Sequence, residues 1–237
     1  MLRSISGRRR RSRSYEEAAS GDGPREVTGL ESDTRASGYI IVEVNGVRFA
    51  SLPEEAVRSL ALEEGEVLDE QRLQRLCRVA AAEGAYQVAM RVVAARPRAV
   101  GEVLRHLSDH GHNPDAAEEA VRRLQDLGLL DDREFSRNFA LVRSGRGHGA
   151  ARLVIDLLAK GVEKQVAELA VRETLEAEEV DPMEQARALA EKRCLQLVGV
   201  PPDKKRRRVM AYLRRRGYWG YEIDQLVREA MVVEGGG

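Results

Sequence analysis

The chain has 237 residues, of which 43% are hydrophobic and only 4% aromatic. A core of that composition consists mainly of Leu, Val and Ala, which favours closely packed helices over a sheet sandwich. The 39 basic and 39 acidic side chains cancel. Because no apolar run approaches the roughly 20 residues of a membrane span, we expect a cytoplasmic protein.

Residues 1–38 are rich in Arg, Ser, Gly and Glu and contain few large apolar side chains. Such a segment buries too little surface to offset the conformational entropy that ordering would remove. The composition therefore predicts a disordered tail, either solvated or in weak contact with nucleic acid through its arginines.

Residues 39–83 are predicted to form a small region that contains a hairpin and two helices. β-branched residues stand on both sides of Asn45-Gly46, a dipeptide that accepts the positive φ angles of a type I′ turn. Helical patterns follow from Pro53 to Leu62 and from Asp69 to Ala82.

An internal repeat surrounds Gly111, Gly161 and Gly217, which are 50 and 56 residues apart. Each glycine lies between two helical patterns, and a third apolar helix precedes each pair. A glycine at such a position favours the left-handed conformation that ends a helix. The apolar positions that carry the pattern are Ala89, Val92, Val93, Leu104, Leu107, Ala117, Ala120 and Val121; Phe135, Phe139, Val142, Val154, Leu157, Val166, Leu169 and Ala170; and Ala186, Leu189, Ala190, Met210, Leu213, Ile223, Leu226 and Val227.

The repeat predicts an all-α fold of three tandem three-helix units, at residues 84–130, 131–180 and 181–233. Stacked units of this kind form an elongated, curved molecule, here with the small hairpin and helix region at its N-terminal side. Capped units can stand alone, so we expect a monomer. Asp131 and Asp181 have the spacing of helix caps, which explains them without a catalytic role.

Candidates for chemistry are few. His106 and His110 could share a metal at i, i+4 spacing, but exposed histidines near a helix end are the favoured interpretation. The stretch Gly145–Gly149 has neither the strand nor the Lys-Ser/Thr ending of a phosphate loop, and is interpreted as a flexible connector. Cys77 and Cys194 lack metal-ligand spacing and are interpreted as reduced thiols. We therefore predict no catalytic residue, no metal and no cofactor.

Positive charge is concentrated on the second helix of the third unit. Eight like charges on one short helix repel each other, which favours an anionic partner over a solvated surface. A weaker basic strip lies in the second unit, and Tyr218, Trp219 and Tyr221 either stack on bases or fill the core. We predict that partner or DNA binding involves Lys204, Lys205, Arg206, Arg207, Arg208, Arg214, Arg215 and Arg216, with Arg143, Arg146 and Arg152 secondary.

Four motifs resemble the RecX family of regulatory proteins. They are the segment Gly128–Phe135 (GLLDDREF), the turn Gly145-Arg146-Gly147, the helix end Leu157–Val162 (LLAKGV) and the closing Leu213–Tyr218 (LRRRGY). The resemblance covers about residues 39 to 231. The arginine-dense tail lies outside the family pattern, and the connector carries His148 and Ala150 where more basic residues are common.

The resemblance implies a non-enzymatic regulator of DNA repair, recombination and the SOS response. Proteins of this family bind the RecA recombinase and its filament on single-stranded DNA, and they restrain strand exchange, ATP hydrolysis and co-protease activity by groove binding or capping. Three alternatives remain: a sequence-independent DNA-binding repeat protein acting without RecA, a helix-turn-helix protein on duplex DNA, and an unrecognised enzyme. Acidic residues on the third helices oppose duplex docking.

Overall fold

The protein is described here by a computed structural model that covers residues 23–233, with the side chains of residues 232 and 233 excluded. It divides into two compact units. The first contains residues up to Arg98 together with Glu102–Leu130, and the second contains Ala99–Gly101 and the chain from Asp131 onward. Residues 1–22 of the predicted tail lie outside the described residues.

The first unit contains a four-stranded antiparallel sheet and the helices of the first repeat. Its elements are β1 (Arg25–Ser32), β2 (Tyr39–Val44), β3 (Val47–Pro53), α1 (Glu54–Ser59), β4 (Val67–Leu68), α2 (Glu70–Ala95), most of α3 (Val100–Asp109) and α4 (Pro114–Asp126). The second unit contains the first turn of α3 and six further helices: α5 (Asp132–Ser144), α6 (Ala150–Ala159), α7 (Lys164–Ala177), α8 (Pro182–Leu195), α9 (Pro202–Arg215) and α10 (Tyr221–Val233).

The predicted hairpin is confirmed, and it belongs to a larger sheet of order β3-β2-β1-β4. Asn45 and Gly46 have φ angles of 51° and 73°, as a type I′ turn requires. The expectation of disorder up to residue 38 is wrong for β1. This strand pairs with β2 and buries Val27 fully in the core beneath the sheet. Composition missed it because its stability comes from pairing with residues farther along the chain.

The predicted boundary at residues 83 and 84 falls inside α2, which runs unbroken for 26 residues. Alanines at positions 80–82 have the highest helix propensity, and Glu83 is buried against partners outside the helix. Glu83 accepts hydrogen bonds from the Tyr39 hydroxyl at 2.8 Å and from Arg123 at 2.9 Å. The helix therefore contacts both the sheet, through Tyr39, and the third helix of the first repeat, through Arg123.

The glycine terminators are confirmed in all three repeats. Gly111, Gly161 and Gly217 have φ angles of 82°, 86° and 93°. After each glycine, the next amide donates to the carbonyl of the leucine four residues before the glycine, at 3.1, 3.2 and 3.0 Å. These hydrogen bonds satisfy carbonyls that a helix end would otherwise leave open. Asp131 and Asp181 accept from backbone amides as helix N-caps, as predicted.

The buried positions differ in part from those that the pattern predicted. The residue eight positions before each glycine is fully buried (Val103, Leu153 and Val209), whereas Leu104 and Val154, seven positions before, are half-buried. On α5 the buried face consists of Ser136, Ala140 and Ser144 rather than the phenylalanines. Small residues occupy this face because the first helix of a repeat packs closely on the third.

Candidate anion-binding face

Helix α9 is held in the second unit by its apolar side. Val209, Met210 and Leu213 are buried in a cluster with residues of α8 and α10, including Ala190 and Leu226. Pro202 stands in the first turn, where a missing amide proton costs nothing. The helix therefore presents the opposite side, which carries most of its charge, to solvent.

Five of the eight predicted cations lie on that exposed side of α9. They follow helical spacing of three and four residues around the exposed Ala211, so they share one face of the helix. At 1.5 Å per residue the face is about 16 Å long. Within the described part of the chain, these exposed side chains have no ion pair or side-chain hydrogen bond. We call this surface the cationic face: Lys204, Arg207, Arg208, Arg214 and Arg215.

The other three predicted cations on α9 have intramolecular partners. Arg206 lies 3.8 Å from a carboxylate oxygen of Asp224. Arg216 donates to the carbonyl of Arg146 at 2.5 Å, and its guanidinium lies 4.7 Å from the centre of the Tyr212 ring. Lys205 is half-buried and also interacts within the chain.

The weaker basic strip, which lies in the second three-helix repeat, is partly neutralised. Arg143 and Arg152 approach the same carboxylate, Asp156, at 3.5 Å and 2.9 Å. Arg143 also lies 4.8 Å above the Phe139 ring. Arg146 remains exposed and offers its carbonyl, not its guanidinium, to α9. Of the three side chains of this strip, Arg146 is therefore the best placed to meet an external anion.

The connector Gly145–Gly149 is held in place by the third repeat, so its interpretation as a flexible segment is wrong. The Gly149 amide donates to the Arg216 carbonyl at 2.7 Å. Gln185 donates to the carbonyl of Ser144 at 3.0 Å, and the Tyr218 hydroxyl donates to the side-chain oxygen of Gln185. These contacts bring the basic strip to the C-terminal end of α9, which the sequence did not predict.

His148 on this connector adds no charge at neutral pH. Burial lowers its pKa below the ordinary value, and the nearby guanidinium groups of Arg143 and Arg216 lower it further. A neutral imidazole among arginines is the expected result, since protonation would place one more positive charge among them.

The three aromatic residues after α9 occupy different environments. Tyr218 is 5% exposed and belongs to the core, whereas Trp219 is 52% exposed and Tyr221 75% exposed. The sequence left stacking and core filling as alternatives. Tyr218 fills the core, and its two neighbours face solvent.

Two segments of the chain match sequence models of RecX domains. Residues 85–124 match the first three-helix domain and residues 179–226 match the third. The regulatory protein RecX of Halorhodospira halophila is 35% identical over 145 residues, which cover 61% of this chain and 86% of that relative. The chain belongs to the RecX family.

Other members of the RecX family agree with this assignment. Regulatory protein RecX of Streptomyces coelicolor is 30% identical over 154 residues, covering 65% of this chain and 80% of its own length. A crystal structure of regulatory protein RecX superposes with a TM-score of 0.67 at 16% identity, covering 86% of this chain and 99% of that chain. The crystal structure of RecX from Lactobacillus salivarius superposes with a TM-score of 0.52 at 21% identity, covering 64% of this chain and 97% of that chain. At these identities the structures show a shared fold.

Three histidines of this RecX-family chain, His106, His110 and His112, interact with one another. The His106 and His110 ring centres lie 4.0 Å apart, and the His110 Nδ1 atom lies 2.7 Å from the His106 carbonyl oxygen. Burial, with His110 as the next cause, lowers the pKa of His112. Within residues 23–233 no group of three His, Cys, Asp or Glu side chains is arranged to hold a metal ion. Among the described residues, Cys77 and Cys194 are not joined in a disulfide.

Sequence reasoning missed the residues that organise the cations. Asp156 and Gln185 were not predicted, because single acidic or amide residues on helices carry no motif, and Asp224 was identified only as one of the acidic residues on the third helices. Their positions in the helical pattern offered a partial signal, since Asp156 stands four residues after Arg152 on the same side of α6. Among the described residues no helix is long and apolar enough to cross a membrane.

Proposed function

We propose that this RecX-family protein binds the RecA recombinase and its filament on single-stranded DNA. It restrains recombinase, ATPase and co-protease activity by lying in the filament groove or by capping the filament. Family membership supports this proposal, because the relatives are named regulatory proteins. The resemblance described above adds RecA as the partner.

The observation that carries the proposal is the cationic face. Like charges at helical spacing of three and four residues destabilise a helix, and among the described residues none of these five forms an ion pair, although the exposed Asp203 stands four residues before Arg207. An anionic surface would relieve that repulsion and speed association at low salt. Both the phosphates of a filament's DNA and an acidic protein surface meet this requirement.

Docking of a third helix in a duplex major groove is opposed by charge. The first turn of α10 contains Glu222 and Asp224, and the latter already pairs with Arg206. Glu118 on α4 and Glu168 on α7 are exposed at comparable places. Carboxylates at these positions would face phosphates. Sequence-independent DNA binding through the cationic face, without RecA, is therefore the second candidate function.

The decisive experiment measures the single-stranded-DNA-dependent ATPase rate of the cognate RecA while this protein is titrated in. We expect inhibition at well below one molecule per RecA subunit. The double substitution Arg207→Gln with Arg208→Gln is expected to raise the concentration for half-inhibition about tenfold, which corresponds to roughly 1.4 kcal/mol of binding free energy.

The matched control is Arg122→Gln with Arg172→Gln, which removes two exposed charges outside the cationic face. It should leave inhibition within about twofold of the wild type. Absence of any effect of the folded wild-type protein at equimolar RecA would contradict the proposal. Salt-dependent DNA affinity in the absence of RecA would then support the second candidate.

A further inference from the structure

The exposed aromatic pair Trp219 and Tyr221 is an unusual feature of this chain. Only 4% of the sequence is aromatic, and Trp219 is its single tryptophan. Among residues 23–233, the other Phe and Tyr side chains are buried or half-buried, and these two are the exposed ones. Neither belongs to the apolar cluster of the third repeat, in which Tyr218 fills the corresponding space.

The pair lies at the C-terminal end of the cationic face. The Tyr218 amide donates to the carbonyl of Leu213 at 3.0 Å, which turns the chain back over the end of α9. Trp219 follows at once, and Tyr221 is the first residue of α10. Trp219 follows Arg214 and Arg215 by five and four residues. Since consecutive Cα atoms are about 3.8 Å apart, the Cα atom of Trp219 lies no more than about 19 Å from that of either arginine.

The backbone that carries the pair is well supported. Tyr218 is anchored in the core and hydrogen-bonded to Gln185, and the Asp224 amide donates to the Gly220 carbonyl at 3.1 Å in the first turn of α10. Binding at this segment therefore requires little further ordering of the backbone. Within the described residues, the rings of Trp219 and Tyr221 have no aromatic or cation–π partner.

We infer that Trp219 and Tyr221 form a stacking platform for the bases of single-stranded nucleic acid, with phosphates bound by Arg214 and Arg215. Exposed aromatic rings that follow unpaired cations closely in the chain are the combination that single-stranded nucleic acid requires, since every base has a flat face and every nucleotide a negative charge. A duplex keeps its bases stacked inside and would use the cations alone. This inference rests on the proposed function and names which residues would meet the DNA strand.

Trp219 makes the inference directly measurable, because its fluorescence reports on this site without a label. An oligothymidylate titrated into the full-length protein is expected to quench the emission, and the same sequence in a duplex is not. Trp219→Leu has no tryptophan emission, so its binding is followed by the anisotropy of a fluorescently labelled oligothymidylate. The substitution is expected to weaken binding by about tenfold to a hundredfold, the usual loss for one stacked base. Trp219→Phe, which keeps a ring, should recover most of the affinity, and circular dichroism checks that each variant remains folded.

The outcomes separate this inference from the proposed function. If Trp219→Leu binds oligothymidylate as well as the wild type does but loses inhibition of RecA, the pair contacts a protein surface and the inference is wrong while the proposed function stands. If oligothymidylate quenches the emission of the wild type and binds Trp219→Leu more weakly, but the wild type leaves RecA unaffected, the inference stands and the proposed function fails. Unquenched emission together with unchanged affinity of Trp219→Leu also overturns the inference.

Discussion

Gly217 lies directly against the backbone of Arg152. A methyl group on Gly217 would come within 2.6 Å of the Arg152 amide nitrogen and 2.7 Å of its Cβ. One repeat earlier, a methyl group on Gly161 would lie 2.8 Å from the Cα of Gly101. The glycine that ends the second helix of one repeat therefore also permits close contact with the start of the second helix of the preceding repeat.

Gly217→Ala is expected to destabilise the second unit by about 3 kcal/mol or more, because a left-handed φ and a backbone clash add together. The matched control is Gly199→Ala in the same unit. Gly199 has a φ of 75°, and the space around it is open, so only the backbone strain of about 1 kcal/mol applies. Urea unfolding followed by circular dichroism measures both, and equal losses would contradict the contact argument.

Glu83→Ala is expected to destabilise the first unit by about 2 kcal/mol, because it leaves the Tyr39 hydroxyl and the Arg123 guanidinium without their acceptor. Glu83 is 5% exposed. Glu119→Ala is the control, since Glu119 pairs with Arg122 at 2.8 Å on the surface, where such a pair contributes less than about 1 kcal/mol. Thermal unfolding of the two variants should rank them in that order, and the reverse ranking would refute it.

Alkaline pH is expected to destabilise the second unit through Tyr218. Burial raises the pKa of Tyr218 to about 12, while an unfolded tyrosine titrates near about 10. The folded state holds the phenolic proton more tightly, so the stability that this group contributes is complete below about pH 10 and is lost as the pH rises toward 12. The urea midpoint of the wild type should therefore fall over this range.

Tyr218→Phe removes that proton and should flatten the alkaline decline of the urea midpoint, at the cost of the hydrogen bond to Gln185. Tyr39, whose pKa is also raised to about 12 by burial and then by its hydrogen bond to Glu83, remains in the variant and titrates in the first unit. An identical pH profile for wild type and Tyr218→Phe, with the second unit followed separately, would exclude this role.

Salt should weaken single-stranded DNA binding in proportion to the number of cations engaged. On single-stranded DNA each phosphate contact contributes about −0.7 to the slope of log affinity against log salt concentration, so five contacts predict a slope of about −3.5. Arg207→Gln with Arg208→Gln should reduce the steepness by about 1.4. Fluorescence titrations at several salt concentrations measure the slope. A slope that responds equally to Arg122→Gln with Arg172→Gln would show that the charges act without a defined face.

Local features of this fold were predictable from the sequence. The Asn45-Gly46 turn, the three glycine terminators and the capping aspartates all depend on residues close in the chain. β1 was missed because its partner strand lies beyond a turn and its own composition is polar. The pattern predicted Leu104 as a core position, whereas its neighbour Val103 is the fully buried one. Both residues are apolar, and the sequence alone does not show which of them the helix turns toward the core.

Spacing and composition are sufficient to predict the helical repeats, the way each repeat ends and the concentration of positive charge on α9. They do not distinguish bound cations from unpaired ones. Arg216 forms a hydrogen bond within the protein because the Arg146 carbonyl, 70 residues away in the sequence, lies next to it in the folded chain. Arg214 and Arg215 stay exposed beside it. Only tertiary structure made that selection, since a side chain's partners are decided by which distant segments pack against its helix.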